Sequence, residues 1–232
     1  MKDKTILVFG ASSGIGKATA QALIDQGANV ISASRSNPEI SGLEHHSFDA
    51  TDKNAELDFI PEQLDGLVYC PGTINLKPFN RSSIEDFQSD LDINLLGAIR
   101  VLQASFKSLK KSDSASVVLF STVAAKLGMN FHSSIATAKA AVEGLGKSLA
   151  AEWSMHGIRV NMVAPSLTDT PLAEKLLSTD DRKESSNKRH PIGRYGEAKD
   201  LSEMVVFLLS EKASWVTGQT IGIDGGVGSL KP

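Results

Sequence analysis

Short apolar runs alternate along this chain with longer stretches whose apolar residues recur every three or four positions. Ile6–Phe9 is such a run, closed by Gly10, and it predicts a buried strand. From Lys17 to Gln26 the apolar positions Ala18, Ala22 and Leu23 follow a helical period, and Gly27 ends the segment. Val30–Ala33, Leu67–Tyr69, Val117–Phe120, Val160–Val163 and Thr220–Ile223 predict further strands. Ser82-Ser83-Ile84-Glu85 reads as a capping box that opens a long helix toward Leu109. From Ile135, the positions Ala138, Val142, Leu145, Leu149 and Trp153 step by three and four and predict one buried helical face. A further helix is expected over Lys199–Ser210. Between Ser36 and Asp65 the pattern fades, leaving room for one strand around His45–Phe48 and abbreviated helices.

Alternating strands and helices predict a parallel sheet covered on both faces. Right-handed crossovers make that sheet doubly wound, so the expected fold class is α/β. At 232 residues the chain suits a single domain. Hydrophobic residues make up 41% and charged residues 22%, an ordinary globular composition. The net charge of -3 argues against nucleic acid as a partner. The basic run Lys183 to Arg189 is interleaved with polar residues and is expected to be a solvated loop. No apolar stretch approaches the ~20 residues of a membrane span, and Ile6–Phe9 is too short for the core of a signal peptide. Cys70 is the single cysteine, which excludes an internal disulfide and a cysteine-based metal cluster and suits a cytoplasmic location.

The chemistry begins where the first strand meets the first helix. Gly10-Ala11-Ser12-Ser13-Gly14-Ile15-Gly16 places glycines where a tight turn, a close backbone approach to a pyrophosphate and close helix packing each need one. The helix that follows offers unpaired N–H groups and a partial positive end to an anion. A carboxylate after the second strand would select the ribose hydroxyl of NAD(H). This chain has Ser34-Arg35-Ser36 there, and a guanidinium flanked by hydroxyls favours the 2′-phosphate of NADP(H). Asp49, just past the third strand, is a candidate acceptor for the adenine amino group, with Ala50 beside it.

Together these features resemble the short-chain dehydrogenase/reductase family, of the 3-oxoacyl-carrier-protein-reductase-like type, along essentially the whole chain. The resemblance implies a Rossmann-type fold, with Asn94 on the active-site helix, Lys139 as the active-site lysine and Gly72 in the cofactor wall. It also implies that Pro165, Thr168 and Thr170 contact the cofactor, and that Thr217-Gly218-Gln219 and Asp224-Gly225-Gly226 form the C-terminal signature. Homo-oligomers, dimers or tetramers, are implied through helices near Gln88–Leu109 and Ile135–Met155, which carry the small residues Ala136, Ala140 and Gly144.

The catalytic set departs from the family pattern. The family tyrosine lies four residues before the lysine, and here that position is Ile135. The family serine lies thirteen residues earlier, and here it is Thr122, with Ser121 beside it. The only tyrosines, Tyr69 and Tyr195, are not expected to substitute. Smaller departures are Phe9 before the first glycine, Tyr69-Cys70-Pro71-Gly72 for Asn-Asn-Ala-Gly, and Ser166 for the glycine after Pro165. The expected catalytic residues are therefore Asn94, Thr122 and Lys139, with His132 and Ser133 as candidate proton sources; Lys139 can also serve only to bind ribose hydroxyls. Two functions fit. One is an NADP(H)-dependent oxidoreductase acting on a carbonyl or alcohol with an atypical proton donor. The other is a non-catalytic NADP(H)-binding protein. Segment 171–192 is expected to form a mobile polar lid anchored by Leu172, Leu176 and Leu177.

Overall fold

The computed structural model describes residues 1–231. Among them the elements run β1 (Thr5–Phe9), α1 (Gly14–Asp25), β2 (Asn29–Ser34), β3 (Glu44–Ser47), β4 (Gly66–Tyr69), α2 (Ile84–Leu91), α3 (Gly97–Leu109) and β5 (Ser116–Phe120). They continue as α4 (Ser133–Trp153), β6 (Arg159–Pro165), β7 (Thr168–Asp169), α5 (Asp180–Arg189), β8 (Gly196–Glu197), α6 (Ala198–Leu209) and β9 (Thr220–Ile223). Seven strands pair in parallel in the order β3-β2-β1-β4-β5-β6-β9, while β7 and β8 form a separate short ladder. This is the doubly wound single-domain α/β fold expected from the sequence.

The central strands are apolar without interruption because both of their faces are covered. Leu7 and Phe9 of β1 face one core, shared with Val101, Leu102, Val142 and Trp153 from α3 and α4. Ile6 and Val8 face the other, shared with Ala20, Leu23, Leu201 and Val205 from α1 and α6. Burying each of the Val, Leu, Ile and Phe side chains among these stabilises by roughly 1.5–3 kcal/mol. Leu7 pairs with Ile31 on one side and Leu67 on the other. The winding reverses between β1 and β4, and a crevice opens there beyond the carboxyl ends of the strands.

Four expectations change. The capping box sits one residue later: Ser83 is the N-cap, its hydroxyl accepts from the Asp86 N–H, and the Asp86 carboxylate accepts from the Ser83 N–H. The long helix is broken by a π turn over Asp92–Leu96, which separates α2 from α3. Between Ser36 and Asp65 the described chain holds β3 and no helix; Leu57, Phe59 and Ile60 cover the core from irregular backbone instead. The basic run Lys183 to Arg189 forms the last seven residues of α5, not a loop.

Candidate active site

The crevice is a cleft of about 940 Å³, in the range of ligand-binding cavities. Gly10, Ser12, Ser13, Gly14, Ile15 and Gly16 form its floor. Gly14 has φ +53, and a Cβ there would lie 3.2 Å from Thr170. A Cβ on Gly16 would come within 2.2 Å of the Gly10 carbonyl oxygen. Only glycine lets the turn fold back so tightly on the helix. Ser13 caps α1 without a side-chain hydrogen bond, and no acidic residue occupies its first turn. The helix end therefore keeps free N–H groups and positive potential for an anion, and the cradle fits a pyrophosphate.

At one end of the cleft stand Ser34, Arg35, Asp49 and Ala50. Ser36 does not line it. Its carbonyl accepts from the Ser34 hydroxyl at 2.9 Å, so these two residues shape the turn that presents Arg35. Asp49 accepts from the Thr51 N–H and hydroxyl, each at 2.8 Å, and these bonds hold its carboxyl below the usual range. One of its oxygens remains for a ligand. Arg35 is exposed and makes no hydrogen bond or ion pair among the described residues. A guanidinium so placed can meet a phosphate.

At the other end, Thr122, Ile135 and Lys139 share the wall with Gly72. Thr122 accepts from the Ala124 N–H at 3.3 Å, which leaves its O–H free to donate into the cleft. Ser121 also lines the cleft but is committed: its hydroxyl donates to the buried Glu143 carboxylate at 2.7 Å. Lys139 donates to the Phe120 carbonyl at 2.9 Å, and desolvation lowers its pKa to about 8, offset in part by Cys70 and Asp90. Ile135 is buried and offers no polar atom. Asn94 lies behind the wall rather than in it. Its amide donates to Thr73 at 3.0 Å and to the Asp90 carbonyl at 2.8 Å, while its Oδ1 is buried without a partner. A Cβ on Gly72 would lie 3.2 Å from that oxygen and 3.5 Å from Lys139 Nζ, so the glycine keeps open the space between them.

The Asp90 cluster escaped the sequence reading. The Asp90 carboxylate is fully buried and accepts from Thr73 (2.5 Å), Asn75 (2.7 Å) and Ser134 (2.6 Å). It fixes two residues of the cleft wall, Thr73 and Asn75, against α4. Its three donors come from two other segments, and no local spacing announces them. Tyr69 donates to the Ile93 carbonyl in the π turn at 2.7 Å, and burial pushes its phenol well above the usual range, so it stays a neutral donor away from the cleft. Burial likewise raises the Cys70 thiol to about 12.

Pro165, Thr168 and Thr170 line the cleft. Within segment 171–192 a 3₁₀ helix over Pro171–Leu176 precedes α5. Ala173 and Leu177 are the buried anchors; Leu172 and Leu176 line the cleft instead. His190 ties the segment down. Its Nδ1 meets the Ser186 carbonyl at 2.6 Å and so carries hydrogen, leaving Nε2 to accept from Ser166 at 3.0 Å. The serine in place of glycine after Pro165 thus has a structural partner.

A doubly wound sheet with a glycine cradle at its switch point, facing a lysine and a threonine, defines a nucleotide-binding oxidoreductase architecture. Residues 10–228 match the family model described as Enoyl-(Acyl carrier protein) reductase. A tropinone reductase homolog of Arabidopsis thaliana is 33% identical, over 98% of this chain and 92% of the relative. A 3-oxoacyl-[acyl-carrier-protein] reductase of Thermotoga maritima is 32% identical over 98% of each. The ligand-free aldohexose dehydrogenase of Thermoplasma acidophilum superposes with a TM-score of 0.92 at 30% identity, covering 100% of this chain and 96% of that one. A gluconate 5-dehydrogenase of Burkholderia cenocepacia in complex with NADP and tartrate gives 0.91 at 25% identity, covering 100% and 97%. This chain belongs to the short-chain dehydrogenase/reductase family of oxidoreductases.

Proposed function

We propose that this chain is an NADP(H)-dependent oxidoreductase that reduces a carbonyl to a secondary alcohol, or runs the reverse, with a proton donor other than tyrosine. The observation that carries the reading is one continuous cleft joining Arg35, the α1 N-terminus, Thr122 and Lys139. The NADP-bound gluconate 5-dehydrogenase supports the cofactor class. Gly10, Ser12, Ser13, Gly14, Ile15 and Gly16 hold the pyrophosphate, Ser34 and Arg35 the 2′-phosphate side, and Asp49 and Ala50 the adenine. Gly72, Pro165, Thr168 and Thr170 line the nicotinamide half. Segment 171–192 acts as its cover.

A reduced nicotinamide held by these residues would supply the hydride that a carbonyl carbon takes up. Thr122 donates to the carbonyl oxygen and orients it. The Lys139 ammonium binds the ribose hydroxyls, and its positive charge stabilises negative charge developing on the substrate oxygen. Asn94 acts from behind the wall, where its amide holds the Thr73 side chain of the wall and its buried Oδ1 keeps no protein partner. The oxygen must still take a proton. His132 lines the cleft one turn before Ile135. Its Nδ1 donates to the Asn130 carbonyl at 2.6 Å, so Nε2 is free for proton transfer. The Ser133 hydroxyl, by contrast, is buried without a partner, and Ser133 does not line the cleft.

Ile135 favours a second reading, a non-catalytic NADP(H)-binding protein, because loss of a general acid typically removes ~10²–10⁴ in rate. Oxidation of NADPH with a panel of ketones and quinones separates the two. The wild type is expected to bind NADPH more tightly than NADH and to turn over slowly; His132→Gln lowers that rate at least tenfold. Ile135→Tyr raises it, and the raised rate no longer depends on His132. Binding without turnover in the wild type, with activity only in Ile135→Tyr, establishes the second reading. A wild type as fast as Ile135→Tyr and indifferent to His132→Gln overturns the proton assignment.

A further inference from the structure

Four charged side chains line the cleft: Arg35 and Asp49 at the adenosine end, Lys139, and Arg189. The first three have roles in the reading above; Arg189 has none. It lies in the last turn of α5, three residues after Ser186, which is buried and also lines the cleft. Residues three apart share a helix face, so this face of α5 looks into the site. The other cations of the helix are engaged on its own segment. Arg182 donates to the Lys175 carbonyl and to Ser178, Lys183 lies 4.0 Å from Asp180, and Lys188 lies 2.6 Å from Glu184. Arg189 alone of the four has no hydrogen bond or ion pair among the described residues. Among the described residues no carboxylate lines the wall outside Asp49, which already accepts from Thr51.

Apart from Thr73, Asn75, His132 and the hydroxyls of segments 121–122 and 166–186, this half of the cleft wall is apolar. Ile74, Leu76, Met129, Leu172 and Leu176 line it beside Ile135. Leu172 is 54% exposed and Ile74 37%, although both stand in a cleft wall. Apolar side chains left open in a cavity gain by covering with an apolar ligand body. A free guanidinium at the edge of such a wall recognises a carboxylate through two parallel hydrogen bonds, which an ammonium cannot reproduce.

We infer that Arg189 is the anion-binding residue of a substrate subsite, and that the substrate is a keto acid, or the matching hydroxy acid, with an apolar chain between its two polar ends. This rests on the oxidoreductase reading for the carbonyl, but the carboxylate contact can be tested without turnover. The probes are keto acids from 4-oxopentanoate to 7-oxooctanoate and the methyl ester of each, titrated calorimetrically into the NADP⁺-loaded and ligand-free protein. At least one acid is expected to bind tenfold or more tightly than its ester. Arg189→Leu brings that ratio below twofold, Arg189→Lys leaves it intermediate, and NADPH affinity stays within twofold of wild type in both. Added salt narrows the ratio, since Arg189 is exposed.

The inference is overturned if no acid outbinds its ester, or if the preference survives Arg189→Leu. It is also overturned if NADPH affinity falls together with acid affinity, which makes Arg189 a cofactor contact. Inorganic phosphate competing as well as the best acid would show an unselective anion site and overturn it too. If the wild type binds no NADPH, the oxidoreductase reading fails by itself. The acid–ester comparison in the ligand-free protein then still decides the role of Arg189.

Discussion

Lys139 is an ammonium in a place that disfavours one. Its burial lowers the pKa from 10.5 to about 8. For a base whose folded pKa lies below its unfolded value, the folded state resists protonation. The resulting penalty is fully present below about pH 8, and it disappears as pH rises toward the unfolded value. Urea unfolding of the wild type and Lys139→Met should therefore diverge with pH. Relative to the variant, the wild type should gain about 1 kcal/mol or more between pH 7 and pH 9.5. Comparing the two cancels Tyr69, whose raised value pushes stability the opposite way at alkaline pH, and making the comparison in a Cys70→Ala background removes the thiol that feels the Lys139 charge. A pH-independent difference would mean that Lys139 is not held desolvated. Lys139, Ile135 and Thr122 were legible only through the family pattern; the structure places all three in the cleft wall beside Ser121, whose hydroxyl is taken by Glu143. The Asp90 cluster was not legible, because its donors Thr73, Asn75 and Ser134 meet only through tertiary structure. Arg189 was visible as a charge, but its freedom depends on where its neighbours Arg182, Lys183 and Lys188 found partners.

The strand–turn–helix unit from β1 to α1 was read directly, since a glycine cradle needs little beyond its own seven residues. Its tightness gives a prediction at this scale. A Cβ on Gly16 meets the Gly10 backbone at 2.2 Å, and neither partner is a flexible side chain. Gly16→Ala must therefore move the turn, at a cost of ~1–3 kcal/mol by overpacking. It should lose NADPH binding by calorimetry at least tenfold while keeping the far-ultraviolet circular dichroism of the wild type. Unchanged affinity would show that the N–H groups of α1 do not hold the cofactor. The helical period from Ser83 to Leu109 concealed a break, because a π turn shifts the register by one residue without interrupting the apolar pattern. What reveals it is the Tyr69 hydroxyl on the Ile93 carbonyl and the Asn94 amide on the Asp90 carbonyl, contacts that no local pattern contains. Between Ser36 and Asp65 the weak pattern was itself the signal. The segment crosses the sheet edge without a helix and covers the core with scattered apolar residues.

In the whole molecule, both faces of the sheet are covered, and the helices that cover them differ in what they turn outward. The inner face of α4 carries Val142 and Trp153 into the core, buries Ala138, and turns Lys139 into the cleft. Its outer face presents Ala140 and Gly144 exposed and Ala136 half-buried, one turn apart each time, with nothing within 4 Å of where a Gly144 Cβ would stand. A ridge of small residues lets a second helix approach closely, and a homo-oligomer, dimer or tetramer, built on this face would brace the helix that carries Lys139. Size-exclusion chromatography with light scattering should then report two or four copies of the chain. Ala140→Arg, which places a long charged side chain on the exposed ridge and leaves the core untouched, should give a monomer of unchanged fold. Its NADPH affinity should persist, because the cradle on α1 lies elsewhere in the sheet, while turnover falls as α4 loses its support. A wild type that elutes as a monomer at all concentrations would remove the interface, and would leave Lys139 held in place by the Phe120 carbonyl and the core alone.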